Sequence, residues 1–210
     1  MMAFTGFSDD QFSVFERAGF SERMTGIRSL IRPGLLALGE VLAPLLSARA
    51  GHPLYPHVAL HARRRVNPPD DTWVAFSRAS RGYKAYAHFE VGISAESLFF
   101  GLVLKDESSD RGILGRKIIE NPEEMMKIAA RLKGYIIDEL PGVAANHATL
   151  EQYEKLANAL VKRKTSTFHC CRTLAGADRR AADPSAVIKL AQDYIKPLLP
   201  LYAWATTVSE

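Results

Sequence analysis

Residues 57–93, HVALHARRRVNPPDDTWVAFSRASRGYKAYAHFEVGI, establish the fold class because strand patterns replace helical ones there. Apolar and polar residues alternate along HVALHARRRV, as in a strand with one core face and one polar face. NPPDD predicts a turn, and TWVAFSRA predicts a second strand. YKAYAHFEVGI predicts a third strand, and LFFGLVLK, at 98–105, a fourth that is apolar on both faces. Four strands with short connections indicate an antiparallel meander.

Helical patterns lie on both sides of this strand block. An apolar stripe with helical spacing covers residues 24–46, and a second stripe, beginning near residue 122, extends to Ile137. Three helix-start residues follow the strand block: Asn121, Thr149 and Asp183. STFHCCRTL, at 166–174, is a fifth strand candidate. We therefore predict an α+β fold, with an antiparallel sheet of about four to five strands and helices packed on one face, in a single domain over residues 1–210.

The composition is that of an ordinary globular protein. Hydrophobic residues make up 47% and charged residues 24%, which argues against long disorder. The longest apolar run, at residues 35–46, contains Gly39, Glu40 and Pro44, and is too short and interrupted to span a bilayer. The N-terminal residues show neither a basic nor an apolar signal region. We expect a cytoplasmic protein without a membrane partner.

The only two cysteines, Cys170 and Cys171, are adjacent. Neighbouring side chains on a strand point to opposite faces, so a disulfide between them is not expected. The chain contains no CxxC pair, nucleophile elbow, P-loop lysine or dinucleotide-binding glycine motif. We expect neither a metal nor a cofactor.

The most concentrated chemical signal is basic. The net charge is +4 and the pI about 9.1, with Lys and Arg enriched at 57–90 and 161–180. If residues 57–66 form a strand, His57, His61, Arg63 and Arg65 share one face. Guanidinium groups aligned in this way suit phosphates or carboxylates. We predict a binding module for a small anionic, phosphate-bearing ligand, and its candidate binding residues are Arg63, Arg65, Trp73, Arg81, Lys84 and Arg172.

Other interpretations of the same face stay open. In an enzyme, His57, His61 or His88 would act as a general base oriented by Glu90, with the arginines binding substrate. RNA or single-stranded DNA is a third hypothesis, because aromatic residues interleave with the basic ones. A solvated sheet face without a ligand would show the same pattern. The sequence leaves the ligand, the reaction and the oligomeric state open.

Three segments resemble the YktB-like family of uncharacterised bacterial proteins: FTGFSDDQFSVFE, IRPGLLALGEVLAPLLS and the strand block at 57–93. The late segment CRTLAGADRRAADP is similar too, although Cys171 departs from the family pattern, in which a glycine precedes the arginine. The resemblance covers nearly the whole chain. It implies an α+β fold, and it implies no activity, because the family has no established function.

Overall fold

The computed structural model describes residues 3–62 and 64–207, and these form helices and strands in the predicted mixed order. The strands are β1 (Tyr55–Val58), β2 (Asp71–Ser77), β3 (His88–Ser94), β4 (Ser97–Leu104), β5 (Ile136–Ile137) and β6 (Phe168–Ala175). The helices are α1 (Asp9–Phe12), α2 (Phe20–Gly26), α3 (Arg32–Ala50), α4 (Arg111–Glu120), α5 (Pro122–Arg131), α6 (Leu150–Lys162), α7 (Pro184–Ile195) and α8 (Leu199–Thr206).

The strands form one open antiparallel sheet in the order β1-β2-β3-β4-β6-β5. The α+β prediction is therefore confirmed, and the sheet has six strands where about four to five were expected. The first four strands along the chain are neighbours in sequence order, as the meander predicts. The short strand β5 pairs with β6, opposing Ile137 to Cys170.

The chain forms two compact units. One comprises residues up to Phe76 together with Glu90–Phe100 and Thr173–Asp193, and the other comprises Ser77–Phe89, Gly101–Arg172 and the residues from Tyr194 onward. The single domain over residues 1–210 stays a prediction.

In the first unit, α2 and α3 are joined by a π-helical turn, Ile27–Ile31, into one helical stretch. Its buried face carries Ile31, Leu35, Leu38 and Leu42, which are fully enclosed. Gly51 ends α3 in the left-handed region, at φ 78°, and its N–H bonds the carbonyl of Ser47. The helical stretch Phe20–Ala50 therefore includes the whole predicted stripe at residues 24–46.

The stretch Phe20–Ala50 is long and apolar enough, by length and composition alone, to cross a membrane. In the structure, 39% of its most apolar window is buried inside the protein. Core helices of globular proteins meet the same criterion, so the expected absence of a membrane partner stays a prediction.

In the second unit, α4 packs against α6 and α8. Gly115 of α4 allows the close approach to α6, because a Cβ there would lie 2.6 Å from the Ala157 carbonyl oxygen. A capping box begins α6, in which Thr149 and Gln152 each bond the other's backbone N–H.

The predicted strand at residues 57–66 is wrong beyond Val58. Strand β1 covers only Tyr55–Val58 at the edge of the sheet, and residues 59–62 and 64–70 lie in neither a helix nor a strand. His61 adopts the left-handed conformation, at φ 50°, and its carbonyl accepts the N–H of Arg64. This turn ends the alternation, so His61 and Arg65 do not share a sheet face with His57.

Two further boundaries differ from the sequence prediction. Residues 83–85 form a 3-10 turn, so the third strand begins at His88. The helix expected to reach Ile137 ends at Arg131, and Gly134, at φ 76°, turns the chain into β5. The apolar spacing of Leu132, Ile136 and Ile137 fits both a helix and a short strand, and the glycine determines the outcome.

Candidate functional site

The connection between β2 and β3, residues 78–87, carries three cationic side chains: Arg78, Arg81 and Lys84. We refer to this segment as the basic loop. Gly82 allows its reversal, since it takes the left-handed conformation at φ 66°, and its carbonyl accepts the N–H of Ala85. Loops held by a rigid framework often carry binding residues.

The buried carboxylate of Asp110 holds the basic loop in place through hydrogen bonds. Asp110 is 1% exposed and precedes the first residue of α4. Its Oδ2 accepts the Arg78 Nη1–H at 2.7 Å and the Ala87 N–H at 2.8 Å, while Oδ1 accepts the Arg78 Nη2–H at 2.9 Å. The Ser109 hydroxyl lies 3.2 Å from Oδ1. Most of the acceptor positions of this carboxylate are therefore occupied, which suits a structural anchor better than a proton acceptor.

Arg78 is held in one orientation by this carboxylate and by Tyr86. Its guanidinium carbon lies 4.6 Å from the centre of the Tyr86 ring, within the range of a cation–π contact. Burial lowers the pKa of Arg78, but the hydrogen bonds and charge of Asp110 outweigh burial and raise it. The side chain is still 30% exposed. A guanidinium has five N–H donors and Asp110 takes two, so three remain for other acceptors.

Arg81 and Lys84 differ from Arg78 in that no carboxylate neutralises them. Arg81 is exposed and Lys84 is half-buried, and within residues 3–62 and 64–207 neither lies within 4 Å of an acidic oxygen. The basic loop therefore combines one oriented arginine with two uncompensated cations.

Aromatic residues pack behind the basic loop. The buried His88 donates its Nδ1–H to the Tyr86 carbonyl at 2.8 Å, and its ring meets the Tyr83 ring edge-on at 4.9 Å. Tyr202, from α8, packs on Phe89 with ring centres 4.7 Å apart. Burial raises the pKa of Tyr202 to about 12, with the charge of Arg78 lowering it and that of Asp110 raising it.

The other predicted site residues of the first unit lie on different elements. His57 is in β1, Glu90 is buried in β3, and Arg65 is exposed in the segment 64–70 that precedes β2. Trp73 of β2 packs against His61, with ring centres 5.5 Å apart, and the His61 Nε2 lies 3.1 Å from the Thr72 hydroxyl. Arg63 lies outside the described residues.

Arg172 lies on β6, in the second unit, with its guanidinium 4.4 Å from the centre of the Tyr194 ring. The Tyr135 hydroxyl donates to the Tyr194 carbonyl at 2.6 Å. Arg172 therefore belongs to a packed aromatic cluster at the β5–β6 pair.

A second polar cluster lies where β5 and β6 separate. The His169 Nδ1 and the Asp138 Oδ2 are 2.7 Å apart, and the Thr167 hydroxyl donates to Glu139. The hydrogen bond from His169 lowers the pKa of Asp138, against the opposing effect of burial. However, the His169 Nε2 atom is buried, so it does not face a substrate. The open groove beside α6, about 1330 Å³ in volume, is lined by Glu139 and Thr167 but not by His169.

Metal binding gains no support from the described part of the chain. No group of three or more His, Cys, Asp or Glu side chains there is placed to hold an ion. Cys170 is fully buried, and burial raises the pKa of its thiol well above the ordinary value. A buried protonated thiol is a poor nucleophile.

Comparison with known proteins assigns the chain to a family. A family model described as a domain of unknown function, DUF1054, matches residues 7–202. The chain belongs to the DUF1054 family. A UPF0637 protein of Staphylococcus aureus strain MRSA252 is 31% identical over 204 residues, covering 94% of this chain and 97% of its own length. A UPF0637 protein of Listeria monocytogenes is 33% identical over 213 residues, covering 96% and 98% respectively. The family model and these UPF0637 relatives together confirm the resemblance to an uncharacterised bacterial family.

Arg78, Tyr86 and Asp110 were not among the residues predicted for the site of this DUF1054 protein. The pair Arg78–Asp110 spans 32 positions, and no local spacing rule connects residues that far apart. Asp110 directly precedes α4, a place where an aspartate is ordinarily explained by helix capping. The sequence does show a high density of Arg, Lys and Tyr in SRASRGYKAY. This density indicates a binding loop only when the contact of Arg78 with Asp110 is known.

Proposed function

We propose that this DUF1054 protein binds a small anionic, phosphate-bearing ligand through the basic loop. The observation that carries the proposal is the orientation of Arg78 by the buried Asp110, beside two cations without a carboxylate partner. An arginine fixed before binding loses less side-chain entropy when it meets a phosphate. Arg81 and Lys84 then add the attraction that such a ligand needs.

The proposal keeps two residues of the sequence prediction, Arg81 and Lys84, and adds Arg78. Surface lysines and arginines often have only a solubilising role. An arginine that only keeps the protein soluble does not need a buried carboxylate to orient it. Burying a carboxylate costs free energy unless its charge is fully paired. The free-energy cost of burying the Asp110 carboxylate is therefore better explained if the protein requires the Arg78 guanidinium in one fixed orientation.

The enzyme hypothesis has less support. It needs an accessible histidine near a carboxylate, and His88 is buried with its Nδ1 committed to the Tyr86 carbonyl. The nucleic-acid hypothesis is favoured by Tyr83 and Tyr86 in the loop, which interleave with the cations. It predicts a steep loss of affinity with salt, which distinguishes it from a site for one phosphate group.

Calorimetric titration with sugar phosphates, nucleotides and a short poly(U) RNA tests the proposal. The variant is Arg81→Gln with Lys84→Gln, which removes two charges and keeps side-chain length. The matched control is Arg131→Gln with Lys133→Gln, two exposed cations at the end of α5 and beyond it.

We expect the loop variant to lose at least tenfold in affinity for a phosphate compound, and the control to bind like the unsubstituted protein. Equal losses in both variants would mean a nonspecific charge effect and would overturn the proposal. Binding of RNA alone, with an affinity that falls steeply between about 0.05 and 0.2 M salt, would replace it with the nucleic-acid hypothesis.

A further inference from the structure

We propose that the first unit holds a second binding site, which takes a free amino acid in its zwitterionic form. The site is an open pocket of about 450 Å³ lined by Arg17, Ser21, Glu22 and Thr25. Arg17 directly follows the 3-10 turn Ser13–Glu16, and the other three residues lie in α2. The pocket contains no residue of the basic loop, so this site is independent of the proposed function.

The three helical residues lie on one face of α2. Ser21 and Thr25 are four positions apart, and Glu22 and Thr25 are three apart, so their side chains are neighbours on the helix surface. All three residues are exposed. In the part of the chain that the structure describes, neither the Ser21 nor the Thr25 hydroxyl forms a hydrogen bond. Both hydroxyls are therefore available to a ligand.

Arg23 holds the backbone in place where Arg17 enters the pocket. Its Nε–H donates to the Arg17 carbonyl at 2.8 Å. Its Nη1–H lies 3.2 Å from the Pro69 carbonyl oxygen and 2.9 Å from the Asp70 Oδ1. The Arg23 side chain is only 12% exposed, so these contacts are sheltered from water. The backbone of Arg17 is therefore fixed beside α2.

The guanidinium of Arg17 lies against Gly26. A Cβ at Gly26 would be 2.7 Å from the Arg17 Nη1, 3.0 Å from the guanidinium carbon and 2.8 Å from a Val14 methyl, so only glycine admits these side chains. The Nη1–H also points to the Glu22 carbonyl, at 3.5 Å. Glycine is less stable than alanine inside a helix, and the approach of Arg17 and Val14 accounts for it here. A π-helical turn, Ile27–Ile31, begins directly after Gly26, and such turns are frequent at functional sites.

Arg17 and Glu22 bring opposite charges to the pocket without neutralising each other. Among the described residues neither forms a salt bridge, so the guanidinium nitrogens and the carboxylate oxygens are more than 4.0 Å apart. The Glu22 carboxyl carbon lies 3.6 Å from the position that a Cβ would take at Gly19, at the start of α2. The guanidinium lies further along the helix, at Gly26. The pocket therefore presents a cation and an anion at two separate points.

An amino acid zwitterion matches both charges at once. Its carboxylate accepts N–H groups from Arg17, whose planar guanidinium suits a carboxylate, and its ammonium donates to Glu22. The hydroxyls of Ser21 and Thr25 can donate to the carboxylate or accept from the ammonium. A ligand with a single charge would interact with only one of the two charged side chains, so it should bind more weakly.

L-Alanine, propionate and ethylamine are matched probes. Removing the ammonium group from L-alanine gives propionate, and removing the carboxylate gives ethylamine. Binding to the full chain is measured at about pH 7, where all three probes are ionised, through chemical-shift changes of backbone amides. The test variants are Arg17→Gln and Glu22→Gln. The controls are Arg28→Gln and Glu16→Gln, two exposed residues that do not line the pocket.

We expect L-alanine to bind at least about tenfold more tightly than propionate or ethylamine, because each of these lacks one ionic contact. The largest shift changes should fall on Ser21, Glu22 and Thr25. The Arg17→Gln and Glu22→Gln variants should each lose at least about tenfold in affinity for L-alanine, and the two controls should bind like the unsubstituted protein. The amide spectrum also shows whether each variant is folded.

Equal affinity for the three probes, or an equal loss in the control variants, would overturn the proposal. A loss in Arg17→Gln without a loss in Glu22→Gln would indicate a simple carboxylate site and would overturn the zwitterion. The proposal also fails if L-alanine at about 10 mM, ten times the dissociation constant of a weak 1 mM complex, leaves the shifts of Ser21, Glu22 and Thr25 unchanged.

Discussion

At the scale of single residues, Asp110 has the greatest structural consequence. It is enclosed, carries a charge, and joins the start of α4 to both ends of the basic loop through Arg78 and Ala87. Removing one member of a buried ion pair is costly because the other charge is left without compensation. The same removal frees Arg78 to adopt other rotamers, so stability and ligand affinity should fall together.

Asp110→Asn should lower the free energy of unfolding by roughly 2–3 kcal/mol, less than for a fully buried pair because Arg78 is part-exposed. Urea denaturation followed by circular dichroism gives this value. Asp106→Asn, at an exposed position without a salt bridge in the described structure, is the control and should change stability by less than about 0.5 kcal/mol. A loss below about 1 kcal/mol for Asp110→Asn would show that Arg78 does not depend on this carboxylate.

At the scale of elements, the sequence predicted most strands but misplaced their ends. The alternation of apolar and polar residues in HVALHARRRV does not by itself make a strand. An edge strand has a neighbour on one side only, and its backbone hydrogen bonds are too few to extend the strand past Val58. The position of Arg64 and Arg65 outside a strand could not be predicted, because the turn at His61 has no glycine to mark it. By contrast, glycines in the left-handed conformation lie at the end of α3, at Gly51, and at the turn into β5, at Gly134.

The packing of α4 on α6 depends on Gly115. Gly115→Ala should destabilise the protein by about 1–3 kcal/mol, because the added methyl would meet the Ala157 carbonyl oxygen at 2.6 Å and Val161 at 2.8 Å. Gly112→Ala lies on the same helix, and its added methyl would meet only the flexible end of Arg116, at 3.4 Å. Thermal denaturation should show that this control is neutral or stabilised by up to about 1 kcal/mol. Equal stability of the two variants would contradict the close contact.

At the scale of the whole molecule, the net charge of +4 proved less informative than the distribution of paired and unpaired cations. The sequence analysis named Arg81 and Lys84 as binding residues, and this stays a prediction. The structure places both on the connection between β2 and β3, although Lys84 was expected in the third strand. The sequence could not connect them to Asp110, nor predict that Arg172 packs on Tyr194, because both contacts depend on the tertiary fold. The composition gives the number of charged residues, whereas the tertiary fold determines which of them form ion pairs.

Tyr202 should make the stability of the molecule sensitive to alkaline pH. Its pKa of about 12 in the folded protein exceeds the value of about 10 in an unfolded chain, so between these values the unfolded state releases its proton first. The contribution of the protonated Tyr202 to the free energy of unfolding is therefore complete below a pH of about 10, and it falls as the pH rises towards about 12. Relative to Tyr202→Phe, the unsubstituted protein should lose roughly 2 kcal/mol over this window, measured by urea denaturation. Parallel curves for both proteins would contradict the burial of this hydroxyl.

The location of ligand binding is the central claim, and amide chemical-shift mapping with phenyl phosphate on the 15N-labelled protein tests it most directly. We predict that the largest changes fall on Arg81, Gly82, Tyr83 and Lys84, with a further change at the Arg78 side-chain Nε–H. The largest changes at residues 162–167, beside the groove along α6, or at Arg64 and Arg65, would contradict the assignment of the site to the basic loop.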